Sequence, residues 1–298
     1  MPRRKDIWRC AISRQTIGDI VQSGIDDEAV VWFPEEPRFT FLADPFGWQD
    51  GEWLHVFAEA YDYRTRHGTI VRLTFDNAFG LAERRPSLAE PWHLSYPFVF
   101  EAEGEMWMLP EAHRSGKLTL YRSHGHLEDW RPECDISLDC VPVDASIVRH
   151  AGRWWLFYSP AASKAAKVSH LHVAWAANLC GPWTPHPANP VRMDRATARP
   201  GGTPVLVGGR MMLPVQDCTR TYGGAIWPLW IDRLDESGFE AQAGEPLAIP
   251  GSAGRYAQGM HTLSACGEVT LFDAKLIDRT LTGLALDLRR KLGGYAAR

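Results

Sequence analysis

The chain has 298 residues, of which 45% are hydrophobic and 23% are charged. A chain of this length can bury roughly three quarters of the surface that its unfolded form exposes, so it needs neither disulfides nor structural metals to fold. Its 32 Lys and Arg residues against 36 Asp and Glu residues give a formal charge of -4. That balance offers no general attraction for polyanions and excludes nucleic acid as an expected partner.

The sequence contains no stretch near the roughly 18 consecutive apolar residues that a membrane-spanning helix requires, and no apolar segment follows the basic N-terminus. We therefore expect a cytoplasmic protein with neither a signal peptide nor a membrane span. The cysteines form no Cys-x-x-Cys pair, which favours reduced, mostly buried thiols over a zinc site or a disulfide framework. The six residues are Cys10, Cys134, Cys140, Cys180, Cys218 and Cys266.

Short apolar runs of about four to eight residues, bounded by Gly, Pro, Asp or Asn, predict a many-stranded β protein. The first strand is expected over residues 8–12. Three later segments, which begin at Asp44, Tyr96 and Asp144, share one template: a polar residue, a few small or apolar positions, a glycine turn and a Trp-rich alternation. This template is typical of a β-hairpin with one face in a core. Weaker copies begin at Arg199 and His261.

Each interval between these starts contains one or two further strand candidates, so the sequence holds five units of about four strands. Five such units predict a single all-β domain over residues 1–298, a five-bladed β-propeller with blades beginning near 44, 96, 144, 199 and 261. The strand at 8–12 is expected to pair with the last blade and close the ring. A short C-terminal helix is predicted over 280–292 from the spacing of Leu281, Leu284, Ala285, Leu288 and Leu292.

The repeat also predicts a site. The first position of each unit and the position 15 residues later lie at the same end of an antiparallel hairpin, and in a propeller that end surrounds the central channel. The first position is polar in all five units, and the later one is polar in the first three, with an aspartate at a shifted place in each of the last two. The residues are Asp44, Tyr96, Asp144, Arg199 and His261, with Glu59, Glu111 and Ser159 at the later position and Asp217 and Asp273 at the shifted places. Aromatic residues such as Trp48, Tyr61 and Trp227 are expected near this mouth, and Trp53, Trp107, Trp154 and Trp155 in the core between blades.

The Ala-Asp-Pro segment at Asp44, with a second aspartate two blades later, resembles the five-bladed propellers of furanosidase-type glycoside hydrolases, such as arabinanases, β-xylosidases and invertases. Five other segments resemble more closely the propeller domain joined to the transferase in plant glucosamine inositolphosphorylceramide transferases and its stand-alone bacterial relatives. These segments are HLSYPFVF (93–100), LPEA (109–112), GPWTPHPANPV (181–191), ARPGG (198–202) and VQDC (215–218).

The hydrolase resemblance implies catalytic roles for three positions. Asp44 would be the general base or nucleophile, and Asp144 would stabilise the transition state or tune the acid. The family's general acid is a glutamate that opens blade four, where this chain has Arg199, and a guanidinium cannot donate a proton near neutral pH. Glu111, the likelier residue, or Glu59 would then have to supply the acid with a raised pKa.

Arg199 has a second interpretation, since a guanidinium in a channel mouth binds carboxylate or phosphate and would indicate an anionic sugar ligand. A structural pair with Asp144 or Asp217 is the alternative. His93, Tyr96 and Tyr222 are expected to bind sugar hydroxyls, and Glu59, Asp217 and His261 are further candidates for substrate binding. His261 alone makes no metal site, so a hydrogen-bonded structural role is favoured over a central ion, and we expect no cofactor.

Three functions follow from these patterns. The first is a glycoside hydrolase-like enzyme that cleaves or transfers a glycosyl unit with a carboxylate pair. The second is a non-catalytic module that binds a glycan or sugar nucleotide and partners a glycosyltransferase in polysaccharide or glycolipid assembly. The third is a propeller recruited to a different reaction, since one fold hosts many functions.

Overall fold

The computed structural model describes residues 4–291, in which five antiparallel β-sheets form the blades of a propeller. The predicted all-β, five-bladed fold with a short C-terminal helix is confirmed. None of the helices within 4–291 is long and apolar enough to cross a membrane. The assignment of residues 1–298 to one domain stays a prediction.

The strands are short, with few longer than nine residues, as the short apolar runs predicted. The first ten are β1 (Lys5–Ser13), β2 (Val30–Trp32), β3 (Thr40–Asp50), β4 (Trp53–Asp62), β5 (His67–Phe75), β6 (Leu81–Leu88), β7 (Ser95–Ala102), β8 (Glu105–Glu111), β9 (Thr119–Ser123) and β10 (Trp130–Asp135). The next are β11 (Pro142–His150), β12 (Arg153–Pro160), β13 (His170–Ala176), β14 (Thr184–Pro185), β15 (Arg192–Met193) and β16 (Arg199–Pro200). The last are β17 (Val205–Val207), β18 (Arg210–Gln216), β19 (Ile226–Leu234), β20 (Phe239–Ala243), β21 (Leu263–Cys266) and β22 (Val269–Asp278).

Each blade follows the chain from its inner strand outward, except the last. Blades 1 to 4 comprise β3–β6, β7–β10, β11–β15 and β16–β20. The helices are α1 (Ile17–Ser23), α2 (Ala166–Ser169) and α3 (Leu281–Lys291), and single 3-10 turns lie at Asp27–Ala29, His113–Ser115 and Gly251–Tyr256.

Blade 5 joins the two ends of the chain and closes the ring. Its strand order is β2-β1-β22-β21, and β1 pairs with β22 from Lys5 opposite Asp278 to Ser13 opposite Thr270. The predicted closure by the N-terminal strand is confirmed. The closure also brings Trp8 of β1 to the propeller axis, where it stacks on the ring of His261.

The inner strands of blades 1, 2 and 3 share a β-bulge at the position that opens the sequence repeat. Asp44, Tyr96 and Asp144 have φ angles of 51°, 45° and 49°, and the register with the next strand shifts at each of them. Non-glycine residues seldom adopt this left-handed conformation, and a bulge of this kind redirects a side chain. The repeat therefore carries a backbone device that points a polar residue toward the axis.

The terminal helix does not bury all the leucines from whose spacing it is predicted. Leu281 and Leu288 of α3 are 76% and 53% exposed, whereas Leu286 is buried. The helix is fastened by Lys5, whose buried ammonium donates to the Gly283 carbonyl oxygen at 2.8 Å and lies 3.1 Å from Asp287. The leucine spacing predicted a helix correctly, but the polar contact with Lys5 decides which face is covered. The predicted stripe also included Leu292, which lies outside the described residues.

One predicted core residue and the predicted state of two cysteines are corrected. Trp53 is 45% exposed at the start of β4, whereas Trp107, Trp154 and Trp155 are buried as predicted. The expectation of six reduced thiols is wrong for Cys134 and Cys180, which form a disulfide between β10 of blade 2 and the loop after β13 of blade 3. Their separation of 46 residues matches no short cysteine motif, so only the packing of neighbouring blades brings them together. The remaining thiols, Cys10, Cys140, Cys218 and Cys266, are free.

We expect reduction of the Cys134–Cys180 disulfide to lower the free energy of unfolding by about 2 to 4 kcal/mol, because the bond closes a 46-residue separation in the unfolded chain. Urea unfolding with and without reductant measures the effect. The C134S/C180S double variant should be insensitive to reductant, and the matched control C140S should retain the wild-type response. Thiol titration showing six reactive cysteines in the unfolded, unreduced protein would contradict the pairing.

Candidate functional site

A cavity of about 300 Å³ opens at the propeller axis and receives side chains from all five blades. Ten residues have a predicted catalytic or substrate-binding role, and eight of them line this cavity. These are Asp44, Glu59, His93, Glu111, Asp144, Arg199, Tyr222 and His261. A larger cavity, of about 620 Å³, lies against Trp48 and Arg72 and contains none of these residues. The axial cavity is therefore the candidate site.

Asp44 is 4% exposed and links three blades through its hydrogen bonds. Its Oδ1 accepts from the Thr262 hydroxyl at 2.9 Å, and its Oδ2 accepts from the backbone N–H of Tyr96 at 3.1 Å. Its own N–H donates to Asp273 Oδ2 at 3.1 Å. A buried carboxylate requires such donors, because desolvation otherwise disfavours its charged form.

His261 lies between two carboxylates. Its Nδ1 is 2.6 Å from Asp273 Oδ2, in the geometry of an ion pair rather than of an aligned hydrogen bond, and its Nε2 is 3.3 Å from Asp44 Oδ1. Burial alone would lower the pKa of His261, but the charges of Asp273 and Asp44 outweigh it and raise that pKa. Burial in turn raises the pKa of Asp44 to about 6, against the opposing charge of His261.

The three groups Asp44, His261 and Asp273 place their donor atoms within 4.8 Å of one another, close enough to hold a cation. The raised pKa of His261 favours its imidazolium form, and this charge already lies between the two carboxylates. A metal would have to displace that proton first. The geometry thus favours a structural histidine, ion-paired with two aspartates, over a central ion.

Glu59 of β4 is a buried carboxyl group with few neighbours that could stabilise its charged form. Its nearest cationic candidate is His93, whose Nε2 lies 3.5 Å from Glu59 Oε1. The Gly68 N–H donates to His93 Nδ1 at 2.9 Å, and burial lowers the pKa of His93 to about 4, so this ring is neutral near pH 7 and carries its proton on Nε2. Burial and the nearby charge of Asp44 raise the pKa of Glu59 well above 4.5.

Glu111 of β8 is equally buried but has the opposite electrostatics. Ser95 donates to its Oε2 at 3.0 Å, and the backbone N–H of His113 donates to its Oε1 at 2.8 Å. The His113 ring nitrogen Nδ1 lies 2.5 Å from the same Oε1. Burial alone would raise the pKa of Glu111, but the bonds and charge of His113 outweigh it and lower that pKa. Glu111 is therefore a stabilised carboxylate near neutral pH.

Asp144 and Arg199 form a buried ion pair. Arg199 Nε donates to Asp144 Oδ2 at 2.7 Å, and the Gln216 side-chain amide donates to the same oxygen at 2.7 Å. Arg199 Nη1 donates to the carbonyl oxygen of Lys167 at 2.8 Å, and the guanidinium lies 4.9 Å from the ring centre of Tyr222. Arg199 thus has the structural partner that the sequence offered as one alternative.

Two predicted site residues do not line the cavity. Tyr96 is fully buried and uses its hydroxyl in contacts with Ser146 at 2.7 Å and the Gly202 N–H at 2.6 Å. Asp217 instead orders its own loop by accepting from Thr219 at 2.7 Å. Of the three aromatic residues expected near the mouth, Tyr61 lines the cavity, whereas Trp48 lines the larger one.

Several cavity residues have no counterpart in the sequence prediction. They are Asp6, Trp8, Phe41, Tyr63, Ser95, His113, Arg114, Val143 and Lys167. Asp6 and Trp8 arrive through ring closure, while Arg114 and Lys167 lie in irregular segments after β8 and β12. The repeat could not indicate these four residues, because they occupy no equivalent position in the other units.

The fold is a five-bladed β-propeller that resembles those of glycoside hydrolases, and its axial cavity is rich in carboxylates. A glycosyl hydrolase from Bacteroides ovatus superposes with a TM-score of 0.57 at 13% identity, over 78% of this chain and 83% of that chain. A likeness at this identity concerns the fold alone.

The chain belongs to the family described as glucosamine inositolphosphorylceramide transferase 1, N-terminal, whose model matches residues 34–255. It is 34% identical over 204 residues to glucosamine inositolphosphorylceramide transferase 1 of Oryza sativa subsp. indica, and 35% identical over 190 residues to that of Arabidopsis thaliana. The two alignments cover 67% and 62% of this chain but only 27% and 25% of the relatives. The chain thus spans about a quarter of the length of the curated relatives it matches.

The contrast between the two buried glutamates predicts opposite effects of isosteric substitution. A raised pKa means that folding favours protonated Glu59, so stability is lost as pH rises from 4.5 through the pKa of the folded state. Glu59→Gln should therefore stabilise the protein relative to wild type, with an advantage that grows by up to about 1.4 kcal/mol per pH unit in that window. Urea unfolding between pH 5 and pH 8 measures it.

Glu111→Gln is the matched comparison. Because the pKa of Glu111 is lowered, its ionised form stabilises the fold above pH 4.5, and this stabilisation is lost only as pH falls through the pKa of the folded state. The variant should therefore be less stable than wild type by a constant amount from pH 5 to pH 8. Equal pH dependence of the two differences would show that the two carboxyl groups have the same environment.

Proposed function

We propose that the chain is a carbohydrate-active enzyme that acts on a glycosidic bond in the axial cavity, with Glu59 as the general acid and Asp44 as the base or nucleophile. The observation that supports this proposal is the pairing of two buried carboxyl groups in one cavity, both with raised pKa values and with Glu59 shifted partly by the charge of Asp44. Two carboxyl groups whose pKa values are pushed apart are the usual equipment for acid and base roles.

In this mechanism, the protonated Glu59 donates its proton to the leaving-group oxygen as the glycosidic bond breaks. Asp44, ionised above its pKa of about 6, attacks the anomeric carbon or removes a proton from an attacking water. His261 and Thr262 hold the carboxylate of Asp44 in place. The aromatic ring of Tyr61, in the same cavity, offers a face for the sugar.

Glu111 and Asp144, which the sequence favoured for catalysis, have other roles in this proposal. Glu111 is held ionised by His113 and would accept hydrogen bonds from sugar hydroxyls. Asp144 anchors Arg199. His93 and Tyr222 remain proposed sugar contacts, since both line the cavity.

The second candidate function is the non-catalytic module that binds a glycan or sugar nucleotide for a glycosyltransferase. The observation that favours it is the Asp144–Arg199 ion pair, which leaves no carboxylic acid at the opening of blade 4. The named relatives are transferases of which this chain matches about a quarter, so a transferase domain or partner would supply the chemistry.

The disulfide bears on the compartment in which either function operates. Cytosolic thiols are kept reduced, whereas disulfides persist in oxidising environments. The Cys134–Cys180 bond is therefore at odds with the cytoplasmic location expected from the sequence, and we propose an oxidising compartment instead.

The enzyme proposal predicts that Glu59→Gln and Asp44→Asn each lower kcat by roughly 10²- to 10⁴-fold, the usual contribution of an acid or base. Turnover would be measured on nitrophenyl glycosides and on oligosaccharides that contain glucosamine or uronic acid. Wild-type kcat should fall as pH drops below about 6, where Asp44 is protonated, and again on the alkaline side as Glu59 ionises.

Glu111→Gln, at the equivalent position of blade 2, serves as the control. It should lower kcat by no more than about tenfold, since it removes one ground-state contact. A loss confined to E111Q, with E59Q fully active, would overturn the assignment of the acid. If wild type binds a glycan from this panel but leaves it intact, the binding module replaces the enzyme.

A further inference from the structure

Three cationic side chains from three different blades line one cavity. Arg114 belongs to the 3-10 turn after β8 in blade 2, Lys167 to α2 in blade 3, and Arg199 to β16 in blade 4. Arg199 is buried, Lys167 is half-buried and Arg114 is exposed, so they form a series from the floor of the cavity to its rim. We call these three residues the cationic wall.

The wall is built as a connected unit. Arg199 Nη1 donates to the carbonyl oxygen of Lys167, which fixes the backbone that carries the ammonium. Arg199 uses Nε for Asp144, and its remaining nitrogen, Nη2, makes no hydrogen bond to any residue in 4–291. Neither Arg114 nor Lys167 has a carboxylate within 4.0 Å in that same range.

The carboxylates nearest to the wall are already occupied. Glu111 accepts from Ser95 and from two nitrogens of His113. Asp144 accepts from Arg199 and Gln216. Burial lowers the pKa of Lys167, and the charges of Arg199 and Arg114 act in the same direction against that of Glu111. Within residues 4–291, Arg114 and Lys167 thus carry positive charge without a paired carboxylate, and an arriving anion would reduce the repulsion among the three cations.

We propose that the cationic wall binds a phosphoryl group carried by the sugar whose glycosidic bond faces Glu59. The sugar part of this statement rests on the proposed function. A phosphoryl group presents several oxygens and up to two charges, which matches donors on three side chains. A carboxylate has one charge and two oxygens, so it would use fewer of the donors that the three side chains offer.

The test measures binding at pH 7.5 by calorimetry, with glucosamine 1-phosphate and inositol 1-phosphate, each against its unphosphorylated counterpart, and with glucuronate and inorganic phosphate. We expect at least one phosphorylated sugar to bind ten times or more tightly than its counterpart and than glucuronate. If inorganic phosphate binds as tightly as the phosphorylated sugars, the site is one for free phosphate. If inorganic phosphate binds more weakly than they do, the site recognises a phosphate carried by the sugar. Equal affinity for phosphorylated and neutral sugars, preference for glucuronate, or no binding at all would overturn the proposal.

Substitutions locate the site. Lys167→Gln and Arg114→Gln should each weaken binding of the phosphorylated sugar by roughly tenfold to a hundredfold, the usual cost of a charge-assisted contact, and Lys167→Arg should retain most of it. Lys164→Gln is the matched control, since this lysine is on the same segment but outside the axial cavity. Unchanged affinity in both K167Q and R114Q would overturn the assignment.

The same variants separate this inference from the proposed function. Glu59→Gln should lose turnover but keep its affinity for the phosphorylated sugar, because it leaves the wall intact. Full turnover in E59Q with binding lost in K167Q would refute the enzyme mechanism and retain the phosphoryl site. Lost turnover in E59Q with binding unchanged in K167Q would refute the phosphoryl site and retain the enzyme mechanism.

Discussion

The structure depends on how buried charge is compensated at the propeller axis. Asp44, Glu59, Glu111, Asp144 and Asp273 are each no more than 6% exposed. Taking several carboxylates out of water is costly, and like charges at close range add to that cost. The stabilising contact differs from group to group. Asp273 and Asp44 both lie against the imidazolium of His261. Asp144 is paired with Arg199, and Glu111 accepts hydrogen bonds from His113. Glu59 lacks such a partner, and burial raises its pKa well above 4.5.

This compensation also joins the blades. Asp44 in blade 1 accepts from the Tyr96 N–H in blade 2 and from Thr262 before blade 5, and Asp144 in blade 3 holds Arg199 in blade 4. Carboxylates that could serve a ligand therefore also fix the relative positions of neighbouring sheets. A change of charge at one position alters both the site and the packing around it, which is why isosteric amide variants are the informative ones.

The fold could be predicted from the sequence because a repeated hairpin pattern leaves few architectures, and the residues that open each unit fall at the axis for the same reason. Eight of the ten predicted site residues line the cavity. The pattern could not distinguish Glu59 from Glu111, since they occupy equivalent positions and differ only in their neighbours. Burial lowers the pKa of His93 beside Glu59, whereas the backbone N–H of His113 donates to Glu111. Tyr96 fails as a cavity residue because its long side chain crosses to Gly202. The irregular segments that carry Arg114 and Lys167 have no periodicity from which to infer a position.

Arg199 explains why the proposed chemistry differs from that of the hydrolases which the sequence resembles. An arginine at the opening of blade 4 needs a carboxylate partner when buried, and Asp144 fills that role with Nε 2.7 Å away. One substitution would therefore remove two members of a catalytic set, the acid in blade 4 and the supporting aspartate in blade 3. Glu59, the carboxyl group without a cationic partner, lies in blade 1, where it is adjacent in register to the bulge that carries Asp44. For this reason, the proposed bond-breaking chemistry is assigned to that side of the axis, and the proposed binding of ligand charge to the side that contains Arg199.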